Sequence, residues 1–242
     1  MTGVDAGTLA LGESARGESD MAVFERITRS RYTCRAYKPE PVARADIDRL
    51  LLLSQRAANW CNTQAWQVLV VGGEEARRFS EAIYAHAASG AAPSPDFPFP
   101  GPYLGVYDQR RKSVGKALYG ALGIEKGDRE GSRRQTLENF KLFGAPHMAL
   151  ITTEADLGVY GVLDCGLYIQ QFLLGAQAMG LGTTAQAAIA MYSAFVRDYF
   201  GIPEHRRILC GISFGWPDHD QPVNQFRTER APLEEVVEYR GG

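Results

Sequence analysis

The chain has 242 residues, 45% hydrophobic and 22% charged, which is enough for one large domain with a sizeable core. A net charge of -2 offers no global attraction for nucleic acid or an anionic membrane. Neither is expected as a partner, and any anion site has to be local. Cys34, Cys61, Cys165 and Cys210 are widely spaced, with no Cys-x-x-Cys and no matching histidine pair. They suggest neither zinc nor a disulfide framework and read as reduced thiols of a cytoplasmic protein.

In chain order, residues 1–20 are rich in Gly, Ala, Ser and Glu and lack a signal peptide's basic start and apolar core, which predicts a mobile arm. Residues 21–242 then form a single domain. A short helix is expected from Asp20 to Thr28, capped by Ser19 or Asp20. RYTCRAY, Arg31 to Tyr37, should be extended, placing Arg31, Thr33 and Arg35 on one side. Alone, that arrangement is either an anion cradle or a solvated basic edge. Pro39 and Pro41 break the chain, and an amphipathic helix with Ile47, Leu50, Leu51 and Ser54 on one face ends near Ala57 or Ala58. NWCNTQAW is loop-like. Its Asn59, Asn62 and Gln64 carry amides able to read the edge of a uracil-like ring, or simply to wet a loop.

WQVLVV reads as a buried strand, GG as a turn, and EEARRFSEAIYAHAAS as a helix with acids at its positive end. The prolines and aromatics of AAPSPDFPFPGPYLGVY predict a long irregular excursion or lid. Its Phe97, Phe99 and Tyr103 either pack on the core or line a substrate. Two helices follow, around DQRRKSVGKALYGAL and DREGSRRQTLENFKLF, then a strand HMALITT. The apolar stretch from Val162 to Met179 is interrupted by Asp164, Gln170, Gln171 and Gln177, which favours a buried helix over a membrane span. An extended TTAQAA, a helix MYSAFVRDYFG stopped by Gly201 and Pro203, and a strand RRILCGISFG complete the alternation. The tail reads as an extended arm ending in an edge strand, EEVVEY. Strands separated by helices indicate a layered α/β or α+β domain.

Three motifs invite chemistry. GISFG matches the Gly-x-Ser-x-Gly elbow of serine hydrolases, but no helical period follows Ser213 and His219 lies only six residues on, so a hydrolase using Ser213 is the weakest alternative. VVGGEE lacks the Gly-x-Gly-x-x-Gly spacing of a dinucleotide fold. The four histidines show no ligand spacing, so no metal site is expected. Arg227 and Arg230 in FRTER form a second basic pair, solvated or anion-binding.

RYTCRAY, NWCNTQAW, GLGTTAQAA, GIPEHRRILCGISFGWPD and FRTERAPLEEVV occur in the order and at the separations of the FMN-dependent nitroreductase family, which the chain resembles over about residues 21 to 240. The long loop and the helix after it resemble the nitrobenzoate reductase branch. The resemblance implies an α+β, three-layer α/β/α fold with a mainly antiparallel central sheet. It also implies a homodimer with FMN at the subunit interface and a C-terminal arm reaching over the partner.

In the family's Arg-x-Ser-x-Arg/Lys element, Arg31 would meet the FMN phosphate. Thr33, in place of Ser, would meet the ribityl chain or ring edge, Arg35 would approach ring N1 and O2, and Tyr32 belongs to the same contact. Asn62, Gln64 and Trp66 keep the family's loop pattern, whereas both of its prolines are lost and Asn59 replaces serine. Ala185, Gln186 and Ala187 match the segment whose backbone amide points at flavin N5. Arg230 matches the C-terminal phosphate-binding arginine, with Arg227 an extra candidate. The implied activity is ping-pong hydride transfer from NAD(P)H through FMN to a nitroaromatic or related aromatic substrate, with Tyr103, Arg110 and Arg111 as candidate substrate contacts. Same-fold alternatives are reductive dehalogenation and flavin modification; a flavin-binding or storage protein is a third.

Overall fold

The computed structural model describes residues 17–241. Most of the expected N-terminal arm, residues 1–16, lies outside the described residues. The first helix, α1 (Asp20–Ser30), begins where its cap predicts, with the Ala22 amide donating to Ser19 Oγ.

Four strands, β1 (Trp66–Gly72), β2 (His147–Glu154), β3 (Gly182–Gln186) and β4 (Arg206–Gly215), form one sheet in the order β1-β2-β4-β3. Every pairing is antiparallel. Helices cover both faces. On one side α2 (Arg44–Ser54) and α6 (Gly158–Ala178) pack Ile47, Leu50, Tyr168 and Phe172 against Ala149, Ile151, Ile212 and Phe214. On the other, α3 (Gly73–Ala88), α7 (Ala187–Ala190) and α8 (Ser193–Phe200) place Phe79, Ile83, Ile189 and Val196 against Met148, Leu150 and Ile208. Two further helices, α4 (Gly105–Ala121) and α5 (Arg129–Leu137), follow the long loop. The fold is therefore the three-layer α+β arrangement with an antiparallel sheet. Each fully buried Leu, Ile or Phe contributes roughly 1.5–3 kcal/mol.

The two cores follow the period-2 alternation of the strands with one exception. Ile151 pairs with Cys210 but Thr152 pairs with Ile208, so Leu209 is an extra residue. This bulge switches the face of β4: Ile208 enters one core, while Leu209 and Cys210 both join the other.

Several elements differ from expectation. RYTCRAY is extended but makes only isolated bridges, Thr33 with Thr183 and Tyr37 with Pro217, beside the free edge of β3. Gly182 permits the approach, since a Cβ there would sit 2.7 Å from Cys34 Sγ. Helix α2 stops at Ser54 because the amides of Arg56 and Ala57 bond three residues back, to Leu53 and Ser54, closing a tighter turn. EEVVEY is no strand: Leu233–Glu235 form a 3-10 turn, and Val236, Val237 and Tyr239 are exposed and belong to no strand of the sheet. Helix α6 begins a turn earlier than expected and is only half buried. Asp164, Cys165, Tyr168 and Phe172 face the core, while Val159, Tyr160, Leu163 and Leu167 are exposed. With its preceding turn it is long and apolar enough to cross a membrane, at mean hydropathy 1.3, yet its inner face packs on the sheet and α2.

The long loop, residues 89–104, is irregular as expected, and its first half is anchored. Asp96 receives Arg197 Nη2 on both carboxylate oxygens, at 2.8 and 2.7 Å, and the Ile208 amide at 2.7 Å. Pro98 to Leu104 are exposed.

Candidate functional site

The extended segment after α1 is pinned on its inner side. Tyr37 is buried, and its hydroxyl donates to the Cys34 carbonyl at 2.9 Å and lies 2.8 Å from Thr184 Oγ1. Burial pushes the phenol well above its usual pKa, so it stays a neutral donor. The Cys34 amide donates to the Thr183 carbonyl at 3.0 Å. With Cys34 and Tyr37 held inward, Arg31, Tyr32, Thr33 and Arg35 line a cavity of ≈ 580 Å³.

The far wall is the C-terminal tail, brought there by Asn224. This residue is 2% exposed. Its Oδ1 accepts the Arg35 amide at 2.8 Å, and its Nδ2 donates to the carbonyls of Ala36 at 2.9 Å and Asp218 at 2.7 Å. One amide side chain thus ties RYTCRAY to the segment carrying Phe226, Arg227, Thr228 and Arg230. Val114 of α4 and Gln170 of α6 also line the cavity.

Among the described residues no carboxylate lines this cavity. Among the described residues Arg31, Arg35, Arg227 and Arg230 form no ion pair, unlike Arg77 or Arg197, which do. Burial, then the charge of Arg230, lowers the Arg31 pKa, and burial lowers that of Arg35. Guanidinium pKa values are so high that both remain cations. The result is a cluster of positive charge, partly buried at Arg31 and Arg35 and exposed at Arg227 and Arg230, with bonding capacity left over, an arrangement suited to an anion.

The remaining cations are held by their surroundings. The Arg227 guanidinium lies 3.9 Å over the Tyr32 ring, and its Nη1 donates to the carbonyls of Asn224 and Phe226. Tyr32 is raised to about 12 chiefly by burial, and its hydroxyl lies 3.4 Å from His219 Nδ1. Arg230 Nη1 donates to Thr228 Oγ1 at 2.9 Å. Arg35 sits 5.9 Å from the Phe226 ring.

Of the expected site residues, Arg31, Tyr32, Thr33, Arg35, Arg227 and Arg230 come together around this cavity. Asn59, Asn62 and Gln64 do not line it. Their loop lies on the N-terminal half of α6, where Asp164 accepts the Trp60 amide, six residues and about 9 Å along the helix from Gln170. Ala185 and Ala187 are exposed at the end of β3, but the Gln186 side chain is buried. It accepts from Ser213 Oγ and donates to the Asn139 carbonyl at 2.7 Å. Ser213, 0% exposed and inside β4 with no helix after it, is therefore a structural donor, not a hydrolase nucleophile.

Arg110 and Arg111 border a second hollow of ≈ 900 Å³ between α4 and the tail, which shares Val114, Thr228 and Arg230 with the first. Both have partners: Arg110 meets Glu235 at 2.8 Å, and Arg111 meets Asp108 at 2.9 Å and lies 5.6 Å from the Tyr103 ring. Tyr103 lines neither hollow. Asn224 and Gln170 are residues the sequence did not mark. Gln170 carried a signal, a polar side chain breaking an apolar helix, whereas Asn224 in a polar tail carried none.

Fold and cleft together define a layered α+β protein with an arginine-lined cleft along the edge of an antiparallel sheet. The chain belongs to the nitroreductase family, whose family profile matches residues 28–216. It is 32% identical over 220 residues to a 4-nitrobenzoate reductase of Nocardioides sp. (strain LMS-CY), covering 89% of each chain. It is 34% identical over 217 residues to nitroreductase NfnB of Mycolicibacterium smegmatis, covering 89% of this chain and 92% of that one. The crystal structure of the FMN-dependent nitroreductase NfnB from Mycobacterium smegmatis in complex with NADPH superposes with a TM-score of 0.87 at 32% identity, covering 92% of this chain and 100% of that one.

Proposed function

We propose that this protein is an FMN-dependent oxidoreductase that draws electrons from NAD(P)H and reduces nitroaromatic compounds. The observation that carries the reading is the cavity beside RYTCRAY, in which several guanidiniums converge with no carboxylate among the described residues that line it. Its ≈ 580 Å³ falls in the ordinary range for small-ligand clefts. The donor set fits the parts of FMN. Arg31 and Arg230 suit a phosphate, Thr33 and Gln170 a polyol chain, and Arg35 the ring edge where negative charge gathers on reduction. When bound, the flavin supplies two-electron transfer between nicotinamide and an oxidant, so the chain needs no nucleophile of its own. Arg31 and Arg230 then hold the cofactor, and Arg35 stabilises the reduced form. Relatives named for FMN, NADPH and 4-nitrobenzoate support the same assignment.

Asn59, Asn62, Gln64 and the backbone of Ala185 to Ala187 belong to the same proposal, as contacts to the flavin ring and its neighbours. A homodimer is part of it, supported by exposed apolar side chains: Met21 and Phe24 on α1, and Val159, Tyr160, Leu163 and Leu167 on α6. We further take residues 21–242 as one flavin-binding domain, in the cytoplasm, where the free thiols of all four cysteines suit a reducing compartment. Arg110 and Arg111, each already facing a carboxylate, are weaker substrate contacts than the cleft residues.

The test is the absorbance spectrum of the purified chain, taken anaerobically before and after NADPH and then 4-nitrobenzoate. A flavin spectrum that bleaches with NADPH and returns with the nitro compound supports the reading. A colourless protein that takes up no added FMN removes it. Bound flavin that NADPH leaves oxidised makes the protein a flavin carrier instead.

A further inference from the structure

The loop from Asn59 to Gln64 holds an expensive backbone. Cys61, Asn62 and Gln64 have φ of 49°, 57° and 50°, in the left-handed region that non-glycine residues rarely adopt. Such a run persists only where its surroundings over-determine it. Inside the loop, Asn59 Oδ1 accepts the Gln64 amide at 2.9 Å and the Trp60 carbonyl accepts the Thr63 amide at 3.0 Å.

From outside, the holding group is Asp164 of α6, which is 3% exposed. Its carboxylate accepts the Trp60 amide at 3.0 and 3.1 Å and Thr63 Oγ1 at 3.3 Å. Among the described residues no Lys, Arg or His forms an ion pair with it. A carboxylate in this position is costly to bury, and its neighbours on the same helix face, Gly161, Cys165 and Tyr168, are those of an ordinary core. An apolar residue would pack there without that cost, so the carboxylate serves the loop. The Trp60 ring also packs, tilted by 43°, against Tyr160 with centroids 4.9 Å apart, which pins the loop at residues 160 and 164, one turn apart on α6.

We propose that Asp164 is a positioning residue of the flavin site: it fixes the left-handed loop 59–64 so that Asn62 and Gln64 are presented for FMN, without touching the flavin itself. This rests on the flavin reading above. The test compares FMN dissociation constants, by flavin fluorescence on the stripped and reconstituted full-length chain, with amide hydrogen exchange across residues 59–64. Asp164→Asn should weaken FMN binding about tenfold and accelerate exchange of the Trp60 amide. Thr63→Val, which leaves the buried carboxylate in place, should shift the constant in the same direction by about threefold. Ser54→Ala removes another buried hydroxyl of the same core, one that donates to the Leu50 carbonyl; it should lower the melting temperature and leave FMN affinity alone. Wild-type FMN affinity in both Asp164→Asn and Thr63→Val, or an equal loss in Ser54→Ala, overturns the proposal. Should Asp164→Asn fail to fold, Thr63→Val decides by itself. A wild-type chain that binds no FMN overturns the flavin reading first, an outcome distinct from wild-type binding that the variants leave unmoved.

Discussion

Arg31 and Arg35 sit four positions apart on one extended segment, yet their surroundings differ. Arg31 feels the charge of Arg230 in the same cleft, whereas Arg35 lies near Phe226 with its own amide held by Asn224. Division of labour follows. Arg31→Ala should weaken FMN retention by about 10- to 100-fold, the worth of a charge-assisted hydrogen bond or two. Arg35→Ala should mainly slow flavin reduction by NADPH at saturating FMN, read by stopped-flow. Equal loosening of FMN in both would show that the two arginines share one role. His147 provides a test of stability. Its Nε2 accepts the Val42 amide at 2.9 Å, and burial lowers its pKa from the ordinary 6.5. With the folded value depressed, the unfolded chain takes the proton first as pH falls. The contribution is therefore full above the unfolded value of 6.5 and is lost as pH drops through the folded one. Urea midpoints should fall between pH 7.5 and 5 in the wild type, and less in His147→Gln, whose amide can still accept from Val42.

Among the elements, the long loop behaves as two parts. Its first half is clamped by Asp96, whose side chain is 9% exposed and which bridges Arg197, at 8%, to the Ile208 amide. Removing one partner of such a pair leaves a buried charge uncompensated and typically costs about 3–5 kcal/mol. Asp96→Ala should accordingly lower the melting temperature by many degrees, whereas substitutions in the exposed stretch 98–104 should leave it nearly unchanged. Helix α4, by contrast, meets the tail through the half-exposed Arg110–Glu235 pair, and exposed pairs contribute little. Reversing the charges of Arg110 and Arg111 together should leave the KM values for NADPH and 4-nitrobenzoate within about twofold; a large rise would restore them as substrate contacts.

For the whole molecule, the outer face of α6 matters most. A single chain leaves Leu163 56% and Tyr160 54% exposed on α6, and Met21 and Phe24 exposed on α1, which touches α6, apolar surface that a second copy would cover. Leu163→Glu combined with Leu167→Glu should give a monomer by light scattering, with FMN lost at the same time if the loop 59–64 of one copy serves the cleft of the other. A monomer that retains FMN at wild-type affinity would place the whole site within one chain.

The sequence by itself determined the elements and the layered class. The helical spacing of Ile47, Leu50 and Ser54 records the buried face of α2, and the apolar runs of β2 and β4 record strands covered on both faces, so burial is written locally, residue by residue. It also marked Arg31, Thr33, Arg35 and Arg230, because charges left on an otherwise ordinary chain stand out. It missed the end of α2, the bulge at Leu209, and the fate of EEVVEY, since those depend on what lies across the sheet or fails to lie there. The roles of Asn224, Gln186 and Asp164 were decided only by tertiary structure. A buried amide or carboxylate has no local signature, and its meaning is the distant backbone it satisfies: Arg35 from Asn224, Asn139 from Gln186, and Trp60 from Asp164.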